Sequence, residues 1–83
     1  MRSGAEMILA QLFVHGGGGR KVNWGFRKFA AVPSPGDLVQ ATGPDGKIHY
    51  ATVRHVEFEA LAPDSPEEPQ VIVVADWKVA YEG

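Results

Sequence analysis

From Val71 to Tyr81 one parity of the chain is wholly apolar: Val71, Val73, Ala75, Trp77, Val79 and Tyr81 fall on every second position. A two-residue rhythm belongs to a β-strand, whose side chains point alternately to opposite faces, whereas a helix would repeat every 3.6 residues. The rhythm recurs upstream. Met7, Leu9 and Phe13 share one parity of an opening strand, and Ile8, Ala10, Leu12 and Val14 hold the other. Lys21 to Ala31 carries Val22, Trp24 and Phe26 in alternation, Leu38 to Thr42 reads as a short strand, and Lys47 to Glu59 as a long one. No window carries a helical stripe bounded by caps. The expectation is an all-β chain of five strands.

Two interruptions of the rhythm predict irregular backbone. Phe29 falls on the parity opposite Trp24 and Phe26, which predicts a bulge or bend near Arg27-Lys28. Ile48, Tyr50, Thr52, Val56 and Phe58 lie on one parity of the fourth strand and Ala51 and Val53 on the other, with Arg54 among the apolar set. A bend or barrel rim is expected at Arg54. Between strands, Pro33-Ser34-Pro35-Gly36-Asp37 reads as a rigid turn and Gly43-Pro44-Asp45-Gly46 as a hairpin, since proline fixes φ and glycine permits tight corners. Gly16 to Gly19 breaks the chain after the first strand, and Ala62 to Gln70, with three prolines and three acids, reads as a solvated loop.

Eighty-three residues fit one domain, and a chain of this size buries roughly 60–65% of the surface exposed when unfolded. With so little core, a small barrel or strongly bent antiparallel sheet is favoured, because curling removes exposed edges. We expect one domain over residues 7–83 and a disordered or vector-derived extension over 1–6. The first strand, Met7 to Val14, is the candidate edge for pairing with another copy. No cysteine is present, which excludes disulfides, thiolate catalysis and zinc–thiolate centres and suits the cytoplasm. The net charge of −2 gives no overall attraction to nucleic acid or an acidic membrane. No apolar run approaches the length needed to span a bilayer, and Met7 to Val14 is not expected to be a secretion signal, since Arg2 is the only early cation, Glu6 opposes it, and no small-residue cleavage site follows at Val14-His15.

Several motifs invite chemistry and fail on detail. His15-Gly16-Gly17-Gly18-Gly19 resembles the oxyanion loop of esterases, but Ser3, Ser34 and Ser65 lie in no nucleophile elbow. The phosphate-loop reading lacks the hydroxyl that would hold magnesium, since Arg20-Lys21-Val22 follows the glycines. His49 and His55, six apart in one strand, would stand roughly 20 Å from each other, too far to share a metal. Glu57 and Glu59 are expected to form a solvated stripe with His55, and a domain this small has little room for a catalytic pocket. The expectation is therefore no enzyme, no catalytic residues, no metal and no cofactor.

The segment Arg20 to Phe29 holds four cations, three aromatics and no acid. Basic faces with exposed aromatics bind single-stranded nucleic acid through phosphate contacts and base stacking. Arg20, Lys21, Trp24, Arg27 and Lys28 are thus the candidate nucleic-acid or anion contacts. The competing reading makes Trp24 and Phe26 neighbours in the core, with the cations solvating the other face.

Pro35-Gly36-Asp37-Leu38-Val39, the Gly43 to Gly46 turn, and Tyr50-Ala51-Thr52-Val53-Arg54-His55-Val56 form a further pattern. It resembles small SH3-like barrel domains of uncharacterised bacterial and phage-encoded proteins, in which a Pro-x-x-Gly-Asp-x-Val turn opens a strand and a Tyr-x-Val-x-x-Val strand follows. Here the spacing is Tyr50-x-x-Val53-x-x-Val56. The resemblance is best over residues 33–58, with Val71 to Val79 as the returning strand. It implies a five-stranded SH3-like barrel and no functional residue. The leading functional expectation is a non-catalytic binding or accessory module whose partner is a protein or a second copy. The alternative is a nucleic-acid-binding barrel, and a small enzyme comes third.

Overall fold

The structure, a computed structural model, describes residues 7–16 and 19–77. The expected extension over 1–6, the central glycines 17 and 18, and the alternation beyond Trp77 lie outside the described residues. Strands β1 (Ile8–His15), β2 (Lys21–Phe29), β3 (Leu38–Thr42), β4 (Ile48–Phe58) and β5 (Val71–Trp77) form one sheet in the order β2-β1-β5-β4-β3. The described residues are 58% strand with no helix, and the sheet curls through 221° into a half-barrel. The all-β, five-stranded, strongly bent architecture is therefore present.

Two details differ from the expectation. The sheet is mixed rather than purely antiparallel, because β5 enters between β1 and β4 and runs parallel to β1, Leu12 opposite Val73 and Val14 opposite Ala75. In consequence β1 is an interior strand and is not available as an edge. The edges are β2 and β3. An alternating pattern records which face a residue occupies but not which strand lies beside it.

The core follows from register. Ala10, Leu12 and Val14 of β1, Val73 and Ala75 of β5, and Ala51 and Val53 of β4 form one buried cluster on the concave face. Val73 is 0% and Leu12 1% exposed. Because β1 and β5 have neighbours on both sides, their concave residues are covered from every direction. β4 keeps its apolar residues on this face through a bulge: Val53 pairs with Ala75 and His55 with Val74, leaving Arg54 as the extra residue. The extra residue reverses the parity, so Val56 joins Ala51 and Val53 against the core. The irregularity expected at Arg54 is thus real. Arg54 itself reaches out to Asp76, its Nη2 donating over 2.7 Å. Both partners are half exposed, so the pair adds little stability.

Turn chemistry fixes the ends of β3. Asp37 Oδ2 accepts from Ser34 N at 2.8 Å, and Gly36 N donates to Val53 O at 2.8 Å, pinning the Pro33 to Asp37 turn onto β4. At the other end Gly46 N donates to Gly43 O and Gly43 N to Lys47 O, closing the expected hairpin. The 59–70 loop is tied at its base, where Glu59 N donates to Gln70 O at 2.9 Å.

Truncating Leu12 to Ala should lower the unfolding free energy by about 2–5 kcal/mol, the usual cost of a core cavity. The same change at Leu9, on the convex face and 59% exposed, should stay within about 0.5 kcal/mol. Urea denaturation of both variants checks the assignment of faces.

Candidate functional site

The second bulge shapes the site. Leu12 pairs with Gly25 and Phe13 with Asn23, so Trp24 is the extra residue of β2. The sequence placed this irregularity near Arg27-Lys28, and the structure moves it to Trp24. The cause is Gly25, whose φ of +87° lies in the left-handed region that side chains disfavour. Asn23 Oδ1 accepts from Gly25 N at 2.7 Å and holds the kink. The bulge separates the two aromatics expected to sit together. Trp24 turns to the concave side and packs on the core, while Phe26 lies opposite Gln11 on the convex face, 52% exposed.

The five candidate contacts consequently do not share a surface. Arg20 is exposed in the turn before β2. Lys21 pairs with His15 on the convex side and sets its Nζ 5.1 Å from the Phe13 ring centroid, a cation–π contact. Lys28 is exposed opposite Leu9 on the same side. Trp24 and Arg27 turn to the concave side, Arg27 opposite Ala10 with its Nε donating to Trp24 O at 3.1 Å.

On the concave side Trp24 meets residues from three other parts of the chain. His49 stands between the two indoles, with ring centroids 5.7 Å from Trp24 and 5.5 Å from Trp77, both edge-to-face. The Trp77 Nε1–H donates to His49 Nδ1 at 3.3 Å. An indole N–H can only donate, so Nδ1 carries the lone pair and Nε2 carries the proton. Nε2 in turn lies 3.0 Å from both oxygens of Asp45. This chain of contacts selects the Nε2–H tautomer of His49 and engages both ring nitrogens. Asp45 also accepts from Lys47 N at 3.0 Å. That backbone bond, followed by the bond to His49, holds its carboxyl below the ordinary value of 3.8.

Gly43 completes the cluster. A Cβ there would stand 2.7 Å from His49 Cδ2 and 3.1 Å from Trp24 Cη2, so only glycine lets the two rings approach the turn. The hairpin signature was legible, but its first glycine also serves close packing, which no local pattern reveals. Against these rings lies a cavity of about 320 Å³, lined by Trp24, His49 and Trp77 with Val14, Val22, Pro44 and Asp45. Among the described residues no three His, Asp or Glu side chains converge as a metal site.

A second concavity lies at the far end of β2. The two edge strands face one another there across a cleft of about 640 Å³, whose walls include Arg27, Phe29 and Pro33 on one side and Leu38, Val39 and Ala41 on the other. The backbone of β3 is open toward it. Val53 N donates to Asp37 O and Gly43 N to Lys47 O, each at 2.8 Å. Bonded pairs alternate along an antiparallel ladder, so Val39 and Ala41 bond β4, and Leu38, Gln40 and Thr42 turn their N–H and C=O groups to the open edge.

Compared with protein-family models, curated proteins and solved structures, the chain matches none. No helix among the described residues is long and apolar enough to cross a membrane.

The Asp45 bonds carry a pH signature. A carboxyl whose value is lowered by folding contributes stability above its unfolded value, near 3.8, and loses it as the pH falls through the lower folded value. The wild type should therefore exceed Asp45→Asn in stability at pH 5 to 7, and the difference should shrink below about pH 3.8. Paired urea titrations across that range read it directly.

Proposed function

We propose that this chain is a non-enzymatic binding module, a small barrel of the SH3-like kind working in the cytoplasm within a larger bacterial or phage assembly. Its ligand is an extended segment of a partner protein, bound as an added strand along the open edge of β3. The single observation that carries this reading is the outward row of backbone groups at Leu38, Gln40 and Thr42 beside the 640 Å³ cleft. An extended peptide satisfies such a row with main-chain hydrogen bonds, and flanking apolar surface reads its alternate side chains. Leu38, 49% exposed, and Phe29, Val32 and Pro33 supply that surface. Arg27 on the opposite wall favours a peptide carrying an acidic residue. The engagement of both nitrogens of His49 supports a role without catalysis.

The test uses peptides selected from a random-sequence display library on the intact chain. Their titration should shift the amide resonances of Leu38 to Thr42 and of Arg27 to Phe29. Gln40→Pro removes an N–H that bonds no neighbour in the sheet among the described residues, so the fold should survive, as edge strands tolerate proline. Peptide affinity should fall about tenfold, the equivalent of one lost backbone bond. Undiminished affinity in Gln40→Pro, or shifts confined to another face, would remove the proposal. Dimerisation through β3 would assign the edge to a second copy instead.

A further inference from the structure

We propose that the concave cavity lined by Trp24, His49 and Trp77 is a binding site for an organic cation with an apolar shell, a quaternary or trimethylated ammonium group. The site lies at the opposite end of β2 from the peptide cleft and is independent of it.

The chemistry of the walls selects the ligand. Two indoles and an imidazole converge on a space of about 320 Å³, within the range of small-ligand pockets. Indole faces carry negative quadrupole potential and attract cations, tryptophan most strongly of the aromatic side chains. Both nitrogens of His49 are engaged, Nδ1 by Trp77 Nε1–H and Nε2 by Asp45. Asp45, half exposed, remains a carboxylate, because Lys47 N and His49 Nε2 donate to its ionised form. Among the described residues no lysine or arginine lines the cavity. The one fixed charge among these lining residues is the Asp45 carboxylate.

Other ligand classes fit less well. An anion would meet the Asp45 carboxylate with no cation to offset it. A neutral polar molecule needs hydrogen-bonding groups, and both nitrogens of His49 and the N–H of Trp77 are already committed. A metal ion would have to exchange its water shell for ring faces and a single carboxylate. A methylated ammonium has no N–H to satisfy, is weakly hydrated, and places its methyl shell against the indoles while its charge faces Asp45.

The probe is tetramethylammonium chloride, titrated into the full chain against matched sodium chloride and followed by tryptophan emission and the indole N–H resonances. We expect saturable changes at Trp24 and Trp77. Asp45→Asn should keep the fold and weaken binding at least about threefold through lost charge attraction. Trp24→Phe should weaken it as well, phenylalanine being the poorer cation–π partner. Choline and a trimethyllysine peptide then separate a free small molecule from a modified protein side chain, the natural source being the tighter of the two. 3,3-Dimethylbutanol, which has the shape of choline without its charge, should bind much more weakly. Absence of saturation, equal binding of the uncharged analogue, or unchanged affinity in Asp45→Asn would each overturn the proposal.

Discussion

The parallel contact between β1 and β5 is the constraint on which the rest of the structure depends. The β1–β2 and β3–β4 pairs are each local, joined by short connections, and neither can cover its concave face alone. The last described strand enters between them and brings Val73 and Ala75 against Leu12 and Val14 on one side and against Val53 and Val56 on the other. Only then do the two halves share one core. Placing β5 in the middle also decides what stays open. Since β1 and β4 are both used, the unpaired backbone falls to β2 and β3, which approach each other over the concave side without joining into a closed ladder.

The two bulges distribute side chains over that frame. Each adds one residue to a strand that would otherwise have turned its apolar set to the wrong face partway along. In β4 the extra Arg54 keeps Ala51, Val53 and Val56 on a single side. In β2 the extra Trp24, with the left-handed backbone of Gly25 behind it, swings an indole inward to meet His49 and leaves Phe26 outside. At that end the half-barrel is bridged by packed rings. At the other, where Arg27 and Phe29 face Val39 and Ala41, it remains a cleft. The two concavities differ in character because one end of β2 carries a large aromatic turned inward and the other does not.

Much of this was legible in the chain itself. The strand segments and both proline-containing turns follow from alternation and turn chemistry, and the irregularity at Arg54 follows from a charge set among apolar positions. The kink in β2 was legible only as an interval. The parity change at Phe29 requires an extra residue somewhere after Trp24 or at it, and only the positive φ of Gly25 decides where. The parallel neighbour of β1 left no local trace, because strand order is set by which faces bury each other best and not by any one segment's pattern. The aromatic cavity was hidden for the same reason: Trp24, Gly43, His49 and Trp77 come from two strands, a turn and the closing strand. Histidine spacing therefore addressed metals without touching the role His49 has. The basic segment was visible, but alternation interrupted by a bulge scattered its cations over both faces.

Nuclear Overhauser contacts and amide exchange, collected together on the isotope-labelled chain, examine the arrangement most directly. The account predicts a parallel contact pattern between residues 10–15 and 71–76, with the slowest-exchanging amides in those two strands. It further predicts no backbone ladder between β2 and β3, and rapid exchange at Leu38, Gln40 and Thr42. An antiparallel β1–β5 pattern, or a protected β2–β3 ladder that seals the barrel, would contradict it.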